Sequence, residues 1–164
     1  SNTDELFVVA EMVLEPITRG VEELCREFKM DPAKCLRFGP LKHPVRALFK
    51  AWGDYATRFS DEVPVTASVM DIVRCQILCP TLTELVQLLN YIIDTPPAWL
   101  TVIRAKNKFI QLTATHFRHL LLNMRASCCG SCGALWKSGC NCASPVETVH
   151  FFEIQLHLGH YVSQ

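Results

Sequence analysis

The sequence carries no excess of charge of either sign: 16 lysines and arginines stand against 16 aspartates and glutamates over 164 residues. Such a chain offers no global field to DNA, RNA or an anionic membrane, so its partners must be recognised at local sites. Long apolar runs are missing as well. The stretch LFVVAEMVL carries Glu11, gives way to Glu15 and Pro16, and falls far short of the about 20 residues a membrane-spanning helix needs. No signal peptide, membrane segment or membrane partner is expected. There is no evenly paired cysteine framework: the count of nine is odd, and Cys25, Cys35, Cys75 and Cys79 sit in regular apolar segments, where cysteine behaves as a small hydrophobe. This usage reads as an intracellular, cytoplasmic protein rather than an oxidised secreted scaffold. Also absent is a His-x-Glu pair ahead of Pro-Cys-x-x-Cys, which excludes the zinc deaminase signature.

What is present fits one domain over residues 1–164, long enough to bury a core without cross-links. Leu6, Ala10, Val13, Ile17, Val21, Leu24 and Phe28 recur at helical steps, which predicts a first helix that Pro16 kinks or splits. After the turn-rich DPAKCLRFGPLKHP, Pro44 opens a second helix, with Val45, Leu48, Phe49, Trp52 and Phe59 inward and a cationic stripe of Lys42, Arg46 and Lys50 outward. SVMDIVRCQILC reads as a central strand, and Thr81 with Glu84 forms a capping box that opens the helix LTELVQLLNYIID. Three more strands follow in WLTVIRAKNKF, FRHLLLNMR and FFEIQLHL. The fold class is therefore α/β (α+β): a mixed sheet of about four to five strands with helices on one face.

The other sheet face is polar. Alternation puts Arg104, Lys106 and Lys108 on it from one strand, His119, Asn123 and Arg125 from the next, and Glu153, Gln155 and His157 from the last, with Asp71 at the start of the central strand. Carboxylates beside a basic floor suit a Mg²⁺-bound polyphosphate, since acids hold the ion while Lys and Arg neutralise phosphate oxygens. The bland counterpart is an open sheet whose second face is simply solvated, with His119 and His157 as ordinary exposed residues. Arg104, Lys106 and Lys108, with Phe117 or Phe109 for stacking, would equally serve RNA. A protein-interaction module remains a third possibility.

Between the last two strands lies SCCGSCGALWKSGCNCAS, residues 127–144 with five cysteines, of which 127–143 reads as a small zinc-knuckle-like insertion. Cys129, Cys132, Cys140 and Cys142 have ligand spacing, and Gly130, Gly133, Gly139 and Asn141 permit the turns that a tetrahedral site imposes. Four sulfur ligands close a zinc site, so the expected cofactor here is structural zinc. Cys128 is an alternative to a neighbouring ligand, and a reduced loop that binds nothing is the counterpart reading.

Four segments taken in order resemble the RelA/SpoT synthetases, the nucleotidyltransferase-like family that makes guanosine tetra- and pentaphosphate. LKHPVRALFK resembles the family's Lys-Ser-Pro-x-Ser-x-Tyr-Arg-Lys, MDIVRCQIL its Asp-(Leu/Ile)-x-x-x-Arg, HFRHLLLNM its Gly-Tyr-x-Ser-x-His, and FEIQLHL its Glu-(Ile/Val)-Gln-(Ile/Leu)-Arg-Thr. The resemblance runs from about residue 37 to 160. It implies Mg²⁺-dependent transfer of pyrophosphate from ATP to a nucleotide 3′-hydroxyl, a guanosine nucleotide in the family, catalysed by positioning and charge neutralisation. Asp71 and Glu153 would be the catalytic, Mg²⁺-holding carboxylates. Lys42, Arg46 and Lys50 would contact the donor phosphates, Phe117 would stack on the base, and Arg104, Lys106, Arg125, Gln155 and His157 would complete the nucleotide site. The chain departs from the pattern at Thr113, His116, Leu121, Gln76 (with Arg74 displaced by two) and His157-Leu158. These departures imply either a changed acceptor or a fold kept for nucleotide, RNA or protein binding after the chemistry was lost.

Overall fold

In the computed structural model the residues described are 2–40, 73–109 and 119–159, with side chains from residue 11 onward. The helix expected from Pro44 therefore lies outside the described residues, as does the first part of the central strand. Helix α1 (Asn2–Glu27) runs through Pro16 without splitting. Proline in a helix interior costs about 3 kcal/mol. That cost is local, whereas Val13, Ile17, Val21 and Leu24 keep the apolar stripe buried on both sides of it, each such side chain contributing about 1.5–3 kcal/mol.

The helix ends with Met30 N donating to Cys25 O at 3.0 Å and Lys29 in the left-handed region at φ 57°. A side chain there pays for its Cβ. Lys29→Gly is expected to raise the urea-unfolding free energy by about 1 kcal/mol, because glycine carries no such penalty.

The segment read from sequence as turns contains two short elements. Asp31 caps α2 (Pro32–Cys35) by accepting from Ala33 N at 3.0 Å, with Pro32 where its missing N–H costs nothing. The chain leaves this turn directly as β1 (Leu36–Phe38). Next come β2 (Arg74–Cys79), α3 (Leu82–Asp94), β3 (Leu100–Asn107), β4 (His119–Cys129) and β5 (Glu147–Leu158). The capping box is formed as expected, with Glu84 N donating to Thr81 Oγ1 at 3.3 Å and Thr81 N to Glu84 Oε2 at 3.2 Å.

The five strands form one sheet in the order β1-β2-β5-β4-β3. β2 and β5 are parallel, and the other pairs are antiparallel. Alternation assigns Cys75, Ile77 and Cys79 of β2, Leu122, Met124 and Ala126 of β4, and Phe152, Ile154 and Leu156 of β5 to one core. Ile17, Val21, Leu24 and Cys25 of α1 and Leu85, Leu88 and Ile92 of α3 close that core. The four cysteines read as small hydrophobes, Cys25, Cys35, Cys75 and Cys79, are all buried there. Burial pushes their thiols up, Cys79 to about 12, so they stay protonated and unreactive.

Candidate functional site

The polar sheet face is built by register. Glu153 of β5 lies beside Arg74 of β2 and Asn123 of β4, and Asn123 lies beside Arg104 of β3. The result is a row across four strands, Arg74–Glu153–Asn123–Arg104, with a carboxylate and an amide between two guanidinium groups. The next row holds Arg37, Gln76, Gln155, Leu121 and Lys106, and the one after it Leu78, His157 and His119.

Arg104 and Lys106 reach this face because of a defect in pairing. β3 begins with Leu100 and Val102 on the core side, so strict alternation would carry Arg104 to the core as well. A bulge between Val102 and Arg104 leaves Ile103 unpaired and resets the alternation. Arg104 Nε then donates to Asn123 Oδ1 at 3.1 Å. Arg125 lies further along β4, its Nη2 3.5 Å from Thr101 Oγ1.

The face is not simply solvated. Glu153 is 6% exposed, Asn123 4% and His119 8%, and a carboxylate or amide is seldom buried unless partnered. Gln155 Nε2 donates to Glu153 Oε2 at 3.2 Å, and His157 Nε2 lies 3.0 Å from Gln155 Oε1. His119 and His157 stack with centroids 4.8 Å apart and planes 18° apart. The reading of the two histidines as ordinary solvated residues is thus corrected: strand pairing sets them opposite each other, and β4 is a fully paired interior strand.

Burial, then the neighbouring His157 and Lys108, holds His119 down to about 4, and among the described residues neither of its ring nitrogens has a hydrogen-bond partner. The unfolded chain, with its histidine near 6.5, takes up the proton first. The stability contributed by the neutral ring is therefore complete above about pH 6.5 and falls as pH drops toward 4. The loss expected by pH 4.5 is about 2–3 kcal/mol. His119→Phe keeps the stack and should remove that portion of the acid loss, as read from urea unfolding at pH 7 and pH 4.5.

Beside the row, a cleft of ≈ 350 Å³ is lined by Arg37, Phe38, Gly39, Pro40, Arg74, Cys75, Gln76 and Gln155. Its lining brings two arginines and an aromatic residue together, with Arg37 Nη1 also donating to Ala33 O at 2.9 Å and to Leu36 O at 2.8 Å. Sequence reading missed Arg37 and Phe38, because a three-residue strand carries too little periodicity to be seen. It treated Arg74 only as a displaced residue, and it placed Asn123 on the face without giving it a role. Of the residues it did choose, Glu153, Arg104, Lys106, Arg125, Gln155 and His157 share this face. Asp71, Lys42, Arg46, Lys50 and Phe117 lie outside the described residues.

The cysteine patch forms a separate centre at the β4–β5 connection. The sulfurs of Cys129, Cys132, Cys140 and Cys142 all lie within 4.8 Å of one another, a group that could hold a metal ion, and Cys132 Sγ is 3.6 Å from Cys140 Sγ. A tetrahedral zinc with bonds of about 2.3 Å sets its sulfurs about 3.8 Å apart, so the donor set fits. Backbone N–H groups of Cys132 and Ser131 point at the Cys129 sulfur and bring its thiol down to about 6, while the surrounding cysteine sulfurs push Cys142 up to about 12. Sulfurs this close cannot all ionise without a cation among them. Gly133 and Gly139, at φ 77° and 81°, make the turns. Cys128 is not an alternative ligand: the next position on a strand points to the opposite face, and its side chain is buried in the core.

A five-stranded mixed sheet with helices packed on its apolar face is the fold of the small alarmone synthetases, the RelA/SpoT-like arrangement. The chain is similar to the small alarmone synthetase 1 of Bacillus subtilis bound to its product pppGpp, at TM-score 0.64 and 14% identity, covering 96% of this chain and 75% of that one. It is similar also to the small alarmone synthetase 2 of Bacillus subtilis (TM-score 0.62, 14% identity, 94% and 71% covered). A GTP pyrophosphokinase family protein from Streptococcus pneumoniae gives TM-score 0.58 at 13% identity, covering 92% of this chain and 65% of that one. No protein-family model and no curated protein matches the sequence. Among the described residues, no helix is long and apolar enough to cross a membrane.

Proposed function

We propose that this chain binds a nucleoside triphosphate with Mg²⁺ on the polar sheet face and transfers pyrophosphate from ATP to a nucleotide 3′-hydroxyl. The observation that carries the reading is the row Arg74–Glu153–Asn123–Arg104, a nearly buried carboxylate between two cations beside an arginine-lined cleft. The likeness in fold to a small alarmone synthetase bound to its product pppGpp supports it. The oxygen donors suit Mg²⁺, a hard ion, and Glu153 with Asp71 would hold it. When bound there, Mg²⁺ would supply charge neutralisation for the phosphates.

Lys42, Arg46 and Lys50, joined by Arg37 and Arg74, would take the donor phosphates, and Phe117 would stack on a base. Arg104, Lys106 and Arg125 would face the acceptor, with Gln155 and His157 between the two. Zinc at Cys129, Cys132, Cys140 and Cys142 would be structural, since four thiolates leave no open position for substrate.

The test is incubation with labelled ATP, Mg²⁺ and a panel of nucleosides, nucleotides and RNAs, followed by a search for a product that has gained two phosphates. The expected product appears with a nucleotide acceptor and vanishes in Asp71→Ala. ATP binding by calorimetry without any product would leave a nucleotide-binding module. Salt-sensitive RNA affinity that survives Asp71→Ala would move the exposed Arg104 and Lys106 to an RNA site.

A further inference from the structure

We infer that His157 is a positioning residue, which fixes the amide of Gln155 and through it the carboxylate of Glu153. Residues 153, 155 and 157 stand two apart on one face of β5, separated by about 6.6 Å per step, so each side chain can reach only the next. Gln155 Oε1 receives two groups, His157 Nε2 at 3.0 Å and Gln76 Nε2 at 3.4 Å. A side-chain carbonyl oxygen only accepts, so His157 must carry its hydrogen on Nε2. With two donors on its oxygen, the Gln155 amide turns its nitrogen the other way, toward Glu153 Oε2 at 3.2 Å. Flipping the amide would set its oxygen against the Glu153 carboxylate, acceptor against acceptor, and its nitrogen against the Gln76 amide nitrogen, donor against donor.

The imidazole is itself held in place. His119, buried on the neighbouring strand, covers it in a near-parallel stack. The chain thus has a fixed order: the stack orients His157, His157 orients Gln155, and Gln155 sets the plane of the Glu153 carboxylate. Such partners of a metal-holding carboxylate are worth about 10–100-fold in metal affinity. Gln155 and His157 then act on Glu153 rather than on a phosphate. This inference rests on the proposal that Glu153 holds the divalent ion.

The experiment uses the full chain and Mn²⁺, followed by the electron paramagnetic resonance of the free ion, together with the side-chain amide signal of Gln155 in ¹⁵N-labelled protein. His157→Phe keeps a ring for His119 to stack on and removes the donor. It is expected to weaken Mn²⁺ binding about 10-fold and to move the Gln155 amide signal. His157→Gln, which restores a donor of similar reach, should return the amide signal and bring Mn²⁺ affinity back to within about threefold. The inference is overturned if His157→Phe matches the unaltered protein in both readouts, if His157→Gln is as damaging as His157→Phe, or if ¹⁵N shifts place the His157 proton on Nδ1. A different pattern sinks the parent reading instead: Mn²⁺ binding untouched by Glu153→Gln. The amide signal still tracking residue 157 in that case upholds the hydrogen-bond relay.

Discussion

Glu153→Gln is expected to abolish product formation, with a loss of at least about 100- to 1000-fold in kcat. Glutamine has nearly the volume of glutamate and still offers an oxygen to Gln155 Nε2, so the 3.2 Å hydrogen bond survives the change. What disappears is the negative charge between Arg74 and Arg104 in the cross-strand row. A divalent ion held by carboxylates loses most of its attraction when one of them becomes neutral. The fold should persist, because Glu153 N still donates to Val73 O at 2.9 Å and the flanking Phe152 and Ile154 remain in the core. Two measurements check this: turnover with labelled ATP, and thermal unfolding to confirm that the variant is folded. Turnover within about tenfold of the unaltered protein, in a variant that melts normally, would remove Glu153 from the chemistry. A variant that binds ATP as before yet makes no product would place the lost interaction in the transition state alone.

The architecture was legible wherever a strong period met a clear boundary. Helix α3 was bounded on one side by its capping box and on the other by Thr95-Pro96-Pro97, and β4 and β5 alternate cleanly enough to assign both faces. Three features were not legible, each for a physical reason. β1 is three residues long and owes its existence to pairing with β2, a long-range contact that leaves no local pattern; with it went Arg37 and Phe38. The β3 bulge is likewise set by pairing. Reading Arg104 and Lys106 on one face was right, yet nothing in the alternation from Leu100 shows that this face is opposite to the core. The burial of the polar face was also invisible, because polar residues at alternating positions look the same whether they meet water or protein. Glu153 at 6% exposure separates the two. The departures from the RelA/SpoT pattern gain meaning in the same way. His157 stands where that pattern has arginine, and the structure stacks it on His119, so at this corner of the floor a neutral pair replaces a cation.

Stripping the metal is the second large effect to expect. If zinc occupies the four-cysteine centre at a free concentration about a thousandfold above its dissociation constant, its removal costs about 4 kcal/mol of stability. For a chain of this size that lowers Tm by about 8–16 °C. The connection cannot make up the loss from a core of its own, since between Gly130 and Glu147 only Leu135 is buried. Leu135 meets the body of the protein at Gly20 of α1, where an added Cβ would lie 2.6 Å from both Leu135 Cδ1 and Trp99 Cζ2. Main-chain bonds hold the same seat: Trp136 N donates to Ser127 O at 2.8 Å, and Cys129 N to Ala134 O at 2.7 Å. Without a cation the sulfurs take up protons and lose the bonds that would gather them, so the loop should open and draw Leu135 off the helix. Metal analysis of reduced protein should give about one zinc per chain, and Cys142→Ser should lower that content and Tm together. Gly20→Ala with zinc retained gives the contrasting case, because it disturbs the Leu135 seat and leaves the ligands whole. Should a chelator remove the metal without moving Tm, the centre is a bystander to folding; should reduced protein carry no metal at all, the four cysteines form a loop and not a site.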